Sequence, residues 1–157
     1  MTAIHYAIEA ANLHAHLFQV TLTIPEPAAA QTVSLPVWIP GSYLVREFSK
    51  NLQRLSAQQG RRVPLLQLDK HRWEIETLGE TDGPQTLTVH CEIYAFDASV
   101  RTAWLDASRG FFNPTSLCLR VPGREREPHA FELLDNAHTA GWQVATGLAP
   151  ARVDARG

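Results

Sequence analysis

The sequence predicts an all-β domain, either an antiparallel β-sandwich or a saddle-like sheet with one or two short helical turns. Apolar and polar residues alternate with a period of two in six segments, and side chains along a strand point to opposite faces in turn. Breaks rich in Pro and Gly separate these segments, as expected of turns. A chain of 157 residues with 45% hydrophobic residues can bury a full core as one domain.

The six alternating segments are the predicted strands. They are residues 4–8, 14–24, 33–39, 72–77, 86–93 and 116–121. In the second segment Phe18, Val20 and Leu22 are apolar, whereas the residues between them are polar. One face of each strand is therefore predicted to meet the core and the other to meet solvent. The predicted breaks are residues 25–27, 60–62, 79–84 and 122–128.

Two segments have weak helical character. Residues 42–52 carry apolar side chains near helical spacing, with Ser42 as a candidate N-cap. Residues 135–141 are predicted to form a helical turn that ends at Gly141. Neither pattern is long enough for a stable helix on its own, so both are predicted as short turns on a β framework.

Composition bounds the class of protein. Fourteen basic and sixteen acidic side chains give a net charge of −2, which leaves no positive surplus for general nucleic-acid binding. The chain start has no basic segment followed by an apolar one, and no apolar run approaches the length of a membrane span. We expect a cytoplasmic chain, or one from which a signal peptide has been removed. Residues 1–148 are predicted to form the β-rich domain, and residues 149–157 a linker or a cloning end.

Motifs for catalysis or metal binding are scarce. The sequence has no Gly-rich phosphate loop, no Gly-x-Ser-x-Gly and no His-Glu-x-x-His. His14 and His16 share one face if they lie in a strand, a spacing that holds zinc only with a third ligand from elsewhere. We interpret them as marking where that strand leaves the core. Cys91 and Cys118 are predicted to be buried thiols, and Ser42 a turn residue rather than a nucleophile.

Two other segments carry more aromatic and charged residues than ordinary loops. The first is residues 38–48, with a Pro-Gly turn that would present Tyr43 and Arg46 from a rigid base. The second is residues 94–106, continued by residues 111–116. Aromatic loops that also carry Arg, Asp and Asn are typical of a binding edge or a domain interface. The alternative is a small satellite core beneath a long connection.

Four strings occur in these segments and beyond them, in the order WIPGSYLVREFSKNL, YAFDASVRTAWLD, FFNPTSL and GWQVATGL. Together they resemble the N-terminal domain of the glycyl aminopeptidase family of gluzincin-type zinc metallopeptidases. The resemblance covers residues 6–148. It implies a β-rich domain that is followed in the parent enzyme by a thermolysin-like catalytic domain and a PDZ domain.

The resemblance also implies where the chemistry lies. In that family the zinc ligands and the general base belong to the catalytic domain, on a His-Glu-x-x-His helix and a downstream Glu. No position of this chain matches them, so we expect no catalytic residue, no metal site and no peptidase activity here. The expected partners are the downstream catalytic and PDZ domains and the parent enzyme's peptide substrate. Candidates for contacts to the substrate cleft or the domain interface are Trp38, Tyr43, Arg46, Asp97, Arg101, Asp106 and Asn113.

Two alternatives remain open at the level of sequence. One is a free-standing β-sandwich module that binds carbohydrate or peptide on a platform of Trp38, Tyr43 and Trp104. The other is an independent hydrolase with Ser42 or a cysteine as nucleophile. Turnover by the isolated chain would favour the hydrolase, and saturable binding of a glycan or peptide would favour the module.

Overall fold

The computed structural model describes residues 3–79 and 85–150, and it confirms an all-β fold. The strands are β1 (Ile4–Asn12), β2 (Leu17–Pro25), β3 (Ala30–Ser34), β4 (Leu52–Gln59), β5 (Arg61–Val63), β6 (Leu65–Gln67), β7 (Arg72–Glu76), β8 (Thr86–Tyr94), β9 (Ala103–Leu105), β10 (Gly110–Phe112) and β11 (His129–Leu134). A short 3-10 helix spans Phe48–Asn51, and one helical turn, α1, spans Pro114–Leu117.

The largest sheet has six strands in the order β11-β1-β2-β8-β4-β5. Its neighbours are antiparallel except for β11, which runs parallel to β1 from the pair Ile4–His129 to the pair Glu9–Leu134. This pair departs from the predicted antiparallel sheet. Alternation of apolar residues reports which face of a strand is buried and carries no information on strand direction, so the sequence could not show it.

Two smaller sheets complete the architecture, with strand orders β3-β7-β6 and β9-β10. Buried side chains of the six-stranded and three-stranded sheets form one continuous hydrophobic cluster, to which Ile24 and Leu87 contribute from the first sheet and Val33 and Ile75 from the second. Tyr6 lies in this core and donates a hydrogen bond of 2.8 Å to the carbonyl of Leu119. The strands of both sheets are therefore anchored in one hydrophobic core.

Four strands agree closely with the predicted alternation. β1, β2, β7 and β8 bury every second side chain. In β8 the buried residues are Leu87, Val89, Cys91 and Ile93, and the residues between them are half-buried. Period-two burial on both long central strands is what a sheet with one covered face requires.

Two predicted strands are wrong in part. The segment 33–39 is strand only to Ser34, because the chain then leaves the sheet through Pro36, which has no N–H to donate. The segment 116–121 begins inside α1. Asn113 caps that helix by accepting a hydrogen bond from the Thr115 N–H, and Pro114 occupies its first turn. Beyond the helix only a single bridge joins Arg120 to Ser34.

The helical predictions are confirmed in part. Within residues 42–52, Phe48–Asn51 is helical, but Glu47 and not Ser42 occupies the N-cap position. The segment predicted over residues 135–141 is a hydrogen-bonded turn in which Gly141 has a φ of +85°. The predicted break at residues 79–84 lies outside the described residues after Gly79. Within the described part of the chain, no helix is long and apolar enough to span a bilayer.

Candidate functional site

The first candidate surface is the Trp38 loop, residues 38–46, which follows β3. Two backbone hydrogen bonds close it, from Arg46 N to Val37 O at 2.6 Å and from Ser42 N to Ile39 O at 3.1 Å. Gly41 has a φ of +86°, a conformation that L side chains adopt at a cost. The Pro-Gly turn predicted from sequence is therefore present and gives the loop a fixed shape.

Ser42 holds the Trp38 loop together through hydrogen bonds within the loop. Its side chain is 8% exposed. The hydroxyl donates to Leu44 O at 2.9 Å and accepts from Leu44 N at 3.3 Å and Arg46 Nε at 2.9 Å. The indole N–H of Trp38 donates to the Ser42 carbonyl at 2.9 Å. Because the hydroxyl proton is directed at a carbonyl, Ser42 serves as a structural residue and not as a nucleophile.

The Trp38 loop presents apolar side chains to solvent. Tyr43 is 101% exposed, Leu44 and Val45 are each about two-thirds exposed, and Trp38 is 50% exposed. Adjacent exposed apolar side chains on a folded domain mark contact surfaces. The hydrogen-bonded backbone beneath them means that such a contact would cost little conformational entropy.

The second candidate surface is built on stacked rings. Phe96 lies between His16 and Trp104, with ring centroids 3.8 Å and 4.3 Å away and interplanar angles of 28° and 21°. Tyr94 meets the His16 ring edge-on at 6.1 Å. His16 is fixed by a contact of 2.6 Å between its Nδ1 and the Leu105 carbonyl. In the β9–β10 hairpin Phe111 lies directly opposite Trp104.

We call these five rings, His16, Tyr94, Phe96, Trp104 and Phe111, the aromatic surface. Phe96 and Phe111 are each 46% exposed and Tyr94 is 43% exposed, whereas His16 and Trp104 are half-buried. The sequence segment 94–106 thus does form an aromatic edge. His16 was not among the predicted site residues, because the β1–β2 turn is not visible in an alternation pattern. Phe111 lies in the predicted segment 111–116, although it was not named there as a contact residue.

Asp106 fixes the orientation of Trp104. Its carboxylate accepts hydrogen bonds from Trp104 Nε1 at 2.8 Å, from the Ser108 N–H and hydroxyl at 2.7 Å each, and from Arg109 N at 2.9 Å. These donors, with Ser108 contributing most, hold the pKa of Asp106 well below its usual range. A carboxylate that keeps its charge and uses both oxygens in this way orients neighbouring groups and does not act as a general acid.

Three further predicted site residues shape the turns around the aromatic surface. Asp97 accepts a hydrogen bond of 3.0 Å from Ser99 N, and Arg101 N donates to Ser99 Oγ at 3.2 Å. Asn113 accepts from the Thr115 N–H at 3.2 Å and from the Thr115 hydroxyl at 2.8 Å. The carboxylate of Asp97 and the side chain of Arg101 remain at the surface, exposed and half-buried respectively.

The C-terminal part of the described chain returns to the same hairpin. A Cβ placed on Gly110 would lie 3.2 Å from Phe18 Cζ and 3.6 Å from the Trp142 ring. Trp142 therefore packs against β10 where a side chain larger than hydrogen would intrude. Earlier in this segment, Asn136 Nδ2 donates to Glu9 Oε1 and to the Ala10 carbonyl, each at 3.0 Å. The segment 136–142 is thus tied to both β1 and β10.

An open groove of about 510 Å³ lies beside the Trp38 loop. Its walls include Trp38, His71, Arg72 and Arg120. Arg72 Nε donates to Asp69 Oδ2 at 2.6 Å, and Arg120 Nε donates to Glu125 Oε1 at 2.7 Å. Since both guanidinium groups already pair with carboxylates, the groove is not a ready site for an anion.

Metal binding and thiol chemistry find no support in the described residues, in which no group of three or more His, Cys, Asp and Glu is placed to hold a metal. His14 and His16 lie in the turn between β1 and β2, not in a strand as predicted. Burial raises the pKa of the Cys91 and Cys118 thiols to about 12 each. Both thiols are buried, and burial favours their protonated form, so they are poorly suited to act as nucleophiles.

Comparison with known proteins decides the family. Residues 5–156 match the family model described as the peptidase M61 N-terminal domain. The chain belongs to this family. It is also similar to the crystal structure of an aminopeptidase N family protein from Idiomarina loihiensis, with 43% identity and a TM-score of 0.86 over 92% of the chain. The chain spans 24% of that protein's length. No curated protein sequence matches it.

Membership of this family confirms the expected relationship to the N-terminal domain of a glycyl aminopeptidase-like metallopeptidase. The four sequence strings that suggested it lie in both candidate surfaces and in the segment that holds Trp142. The structure accordingly assigns folding roles to several of the residues predicted as contacts, such as Asp106 and Asn113. Tyr43, Phe96 and Phe111 are among the aromatic side chains that remain exposed.

Proposed function

We propose that this chain is the non-catalytic N-terminal domain of a zinc aminopeptidase, where it packs on the catalytic domain and helps to wall the peptide-substrate cleft. The observation that carries the proposal is the match of residues 5–156 to the peptidase M61 N-terminal domain. The similarity to an aminopeptidase-family structure, of which the chain spans 24%, also supports it.

The Trp38 loop is the part of the chain best suited to wall a cleft. Its apolar side chains, Tyr43 above all, project from a backbone that Ser42 already fixes. A wall of this kind excludes water from a bound peptide and orients it without a large entropic cost. Arg46 is held at its Nε by Ser42. Among residues 3–79 and 85–150 its guanidinium has no other hydrogen-bond partner. Its remaining N–H groups would suit a carboxylate or carbonyl of a partner.

The described residues of this chain do not provide a zinc site, so no chemical step is assigned to them. A zinc ion held by the catalytic domain would supply Lewis-acid activation of water. This domain would contribute substrate positioning. Selection of peptides with a free N-terminus requires an acceptor for the ammonium group, and the exposed carboxylate of Asp97 can serve as one. Asp106 is less suited, because its oxygens already accept four hydrogen bonds.

The proposal extends to the order of domains in the parent enzyme, with the catalytic domain and then a PDZ domain after this chain. The competing platform of Trp38, Tyr43 and Trp104 for a carbohydrate gains no support from the ring geometry. Sugars bind on open ring faces, whereas Trp104 stacks one face on Phe96.

Splitting the parent enzyme tests the proposed function. Residues 1–150 and the remainder of the parent chain are expressed as separate polypeptides, alone and together. We expect no aminopeptidase activity from residues 1–150 alone. Together, the two halves should co-purify and hydrolyse aminoacyl anilides faster than the remainder alone. Activity in residues 1–150 alone, or a remainder that is fully active and does not bind them, would contradict the proposal.

A further inference from the structure

We infer that the aromatic surface is the face on which the following catalytic domain docks, and that the Trp38 loop is left open to the cleft. The inference rests on the proposed function and adds to it the identity of the interface. The aromatic surface and the Trp38 loop both expose apolar side chains, and we assign them different roles. The path of the chain and the residues that form each surface distinguish the two roles.

The path of the chain brings the segment that leads to a following domain beside the aromatic surface. Trp142 packs within 3.6 Å of the Cβ position of Gly110. The next residue in β10 is Phe111, which belongs to the aromatic surface. After Trp142 the described chain forms no further strand. The segment that leads to a following domain therefore leaves the sheets at β10, next to the aromatic surface.

The aromatic surface also has the composition of an interface. Its centre is apolar and aromatic, and Arg101, half-buried, and Arg109, exposed, lie within three residues of Trp104 and Phe111 in the sequence. An aromatic centre with a charged rim is the usual arrangement at protein–protein contacts. Because about half of Phe96 and of Phe111 is still exposed, a partner can gain further apolar burial at the two rings.

The rings are fixed before any partner arrives. Phe96 is held between His16 and Trp104, and Trp104 is held by Asp106. A partner that docks on them loses little side-chain entropy, in contrast to one that docks on mobile side chains. Both faces of the Phe96 ring are covered by stacking, so the part of this ring that remains exposed is its edge.

Hydroxyl-radical footprinting of the intact parent enzyme tests the inference. The readout is the oxidation rate of individual Phe side chains, measured by peptide mass spectrometry. Phe96 and Phe111 are the probes, each 46% exposed in this chain. Phe131 on the edge strand β11 is the internal control, since it is the same residue type and is 39% exposed. All three would react at similar rates if the parent left them as exposed as they are here.

We expect Phe96 and Phe111 to be oxidised several-fold more slowly than Phe131 in the intact enzyme. Slow oxidation of Phe131 with fast oxidation of Phe96 and Phe111 would overturn the inference, yet would keep the proposed function, because the domain would then dock through β11. Slow oxidation of Tyr43 alone would also overturn the inference and keep the proposed function, because the catalytic domain would then dock on the Trp38 loop. Fast oxidation of all these side chains would overturn the inference and the packing role together.

Discussion

At the scale of single residues, Ser42 shows how a loop predicted only as a turn becomes a defined surface. One hydroxyl contacts both the backbone of Leu44 and the side chain of Arg46. Three hydrogen bonds therefore depend on one oxygen atom. The exposed side chains of Tyr43 and Val45 owe their position to a residue that is itself buried.

Replacing Ser42 with Ala tests this dependence. Ser42→Ala should lower the free energy of unfolding by about 1–2 kcal/mol, because three hydrogen bonds are lost. The loss is no larger because the freed groups are close enough to solvent to form hydrogen bonds with water. Urea denaturation measures the change, and hydrogen exchange at the Leu44 amide should accelerate. The control is Ser49→Ala, at a half-buried serine of the 3-10 helix outside the loop, which should leave both measurements close to those of the wild type. Equal stability of the two variants would show that Ser42 does not hold the loop.

Asp106 predicts a specific dependence of stability on pH. Hydrogen bonds from Ser108, Trp104 and Arg109 lower its pKa in the folded state below the ordinary value of 3.8. The unfolded chain therefore takes up a proton below about pH 4 while the folded chain does not. The stabilisation is fully present above that pH and declines as the pH falls further.

The measurement is chemical denaturation of the wild type and of Asp106→Asn from pH 7 to pH 3. The amide can still accept at one oxygen, but its NH2 group opposes the indole N–H of Trp104. We expect the variant to be less stable at pH 7 and the difference to shrink below pH 4. Asp97→Asn, which removes a carboxylate that accepts a single turn hydrogen bond, is the matched control. A difference that is constant with pH would contradict the role given to Asp106.

At the scale of elements, burial decided what the sequence could predict. β1, β2, β7 and β8 bury alternate side chains, so their pattern reads directly as strand. β4 escaped notice because its register shifts between Gln53 and Ser56, where Arg54 has a φ of 53° and breaks the alternation. β11 was missed because all its residues are half-buried or exposed. An edge strand has no buried face to impose a period of two.

The candidate site was predictable in part for a similar reason. Trp38, Tyr43 and the segment 94–106 stood out by composition, and the structure places them on two surfaces. His16 and Phe111 join the second surface only through the β1–β2 turn and the β9–β10 register. The contact of His16 with Phe96 is long-range, and a single sequence has no local signal for it. Asp106 and Asn113 were chosen by chemistry, which could not distinguish a ligand-binding side chain from one that caps its own turn.

The β9–β10 hairpin makes a prediction of its own at Gly110. A side chain there would enter the space between Phe18, Leu105 and Trp142, where even a Cβ would lie 3.2 Å from Phe18 Cζ. Gly110→Val should destabilise the chain by about 1–3 kcal/mol, as overpacking commonly does. It should also alter tryptophan fluorescence by displacing Trp142.

The matched control for Gly110 is Gly147→Val. Gly147 has no atom within 4 Å of its Cβ position, so its substitution should leave stability and fluorescence close to those of the wild type. Thermal unfolding followed at the tryptophan emission maximum measures both. If Gly110→Val is as stable as Gly147→Val, Trp142 does not pack on the hairpin as described.

At the scale of the whole molecule, the chain combines a complete core with incompletely covered edges. One cluster joins the six-stranded and three-stranded sheets, so the domain does not need its neighbours to bury its interior. The Trp38 loop and the aromatic surface lie outside that cluster and remain exposed. The role that we propose for this chain requires both properties, since its own fold must be stable and its surface must still gain from contact.

Comparing Phe111→Ser with Phe131→Ser separates what the aromatic surface contributes to the stability of this domain alone from what it contributes through contact in the intact parent enzyme. In residues 1–150 alone both rings are partly exposed, at 46% and 39%, so the two substitutions should lower stability by similar small amounts. In the intact parent enzyme, Phe111→Ser should cost an additional 2 kcal/mol or so, about what an aromatic side chain at the centre of an interface contributes. Phe131→Ser should cost the same in both contexts.

Differential scanning calorimetry should then show the transition of this domain separating from that of the catalytic domain in Phe111→Ser only. Equal costs for Phe111→Ser in the fragment and in the intact enzyme would mean that the ring faces solvent in both, and the interface would have to be sought elsewhere on the chain.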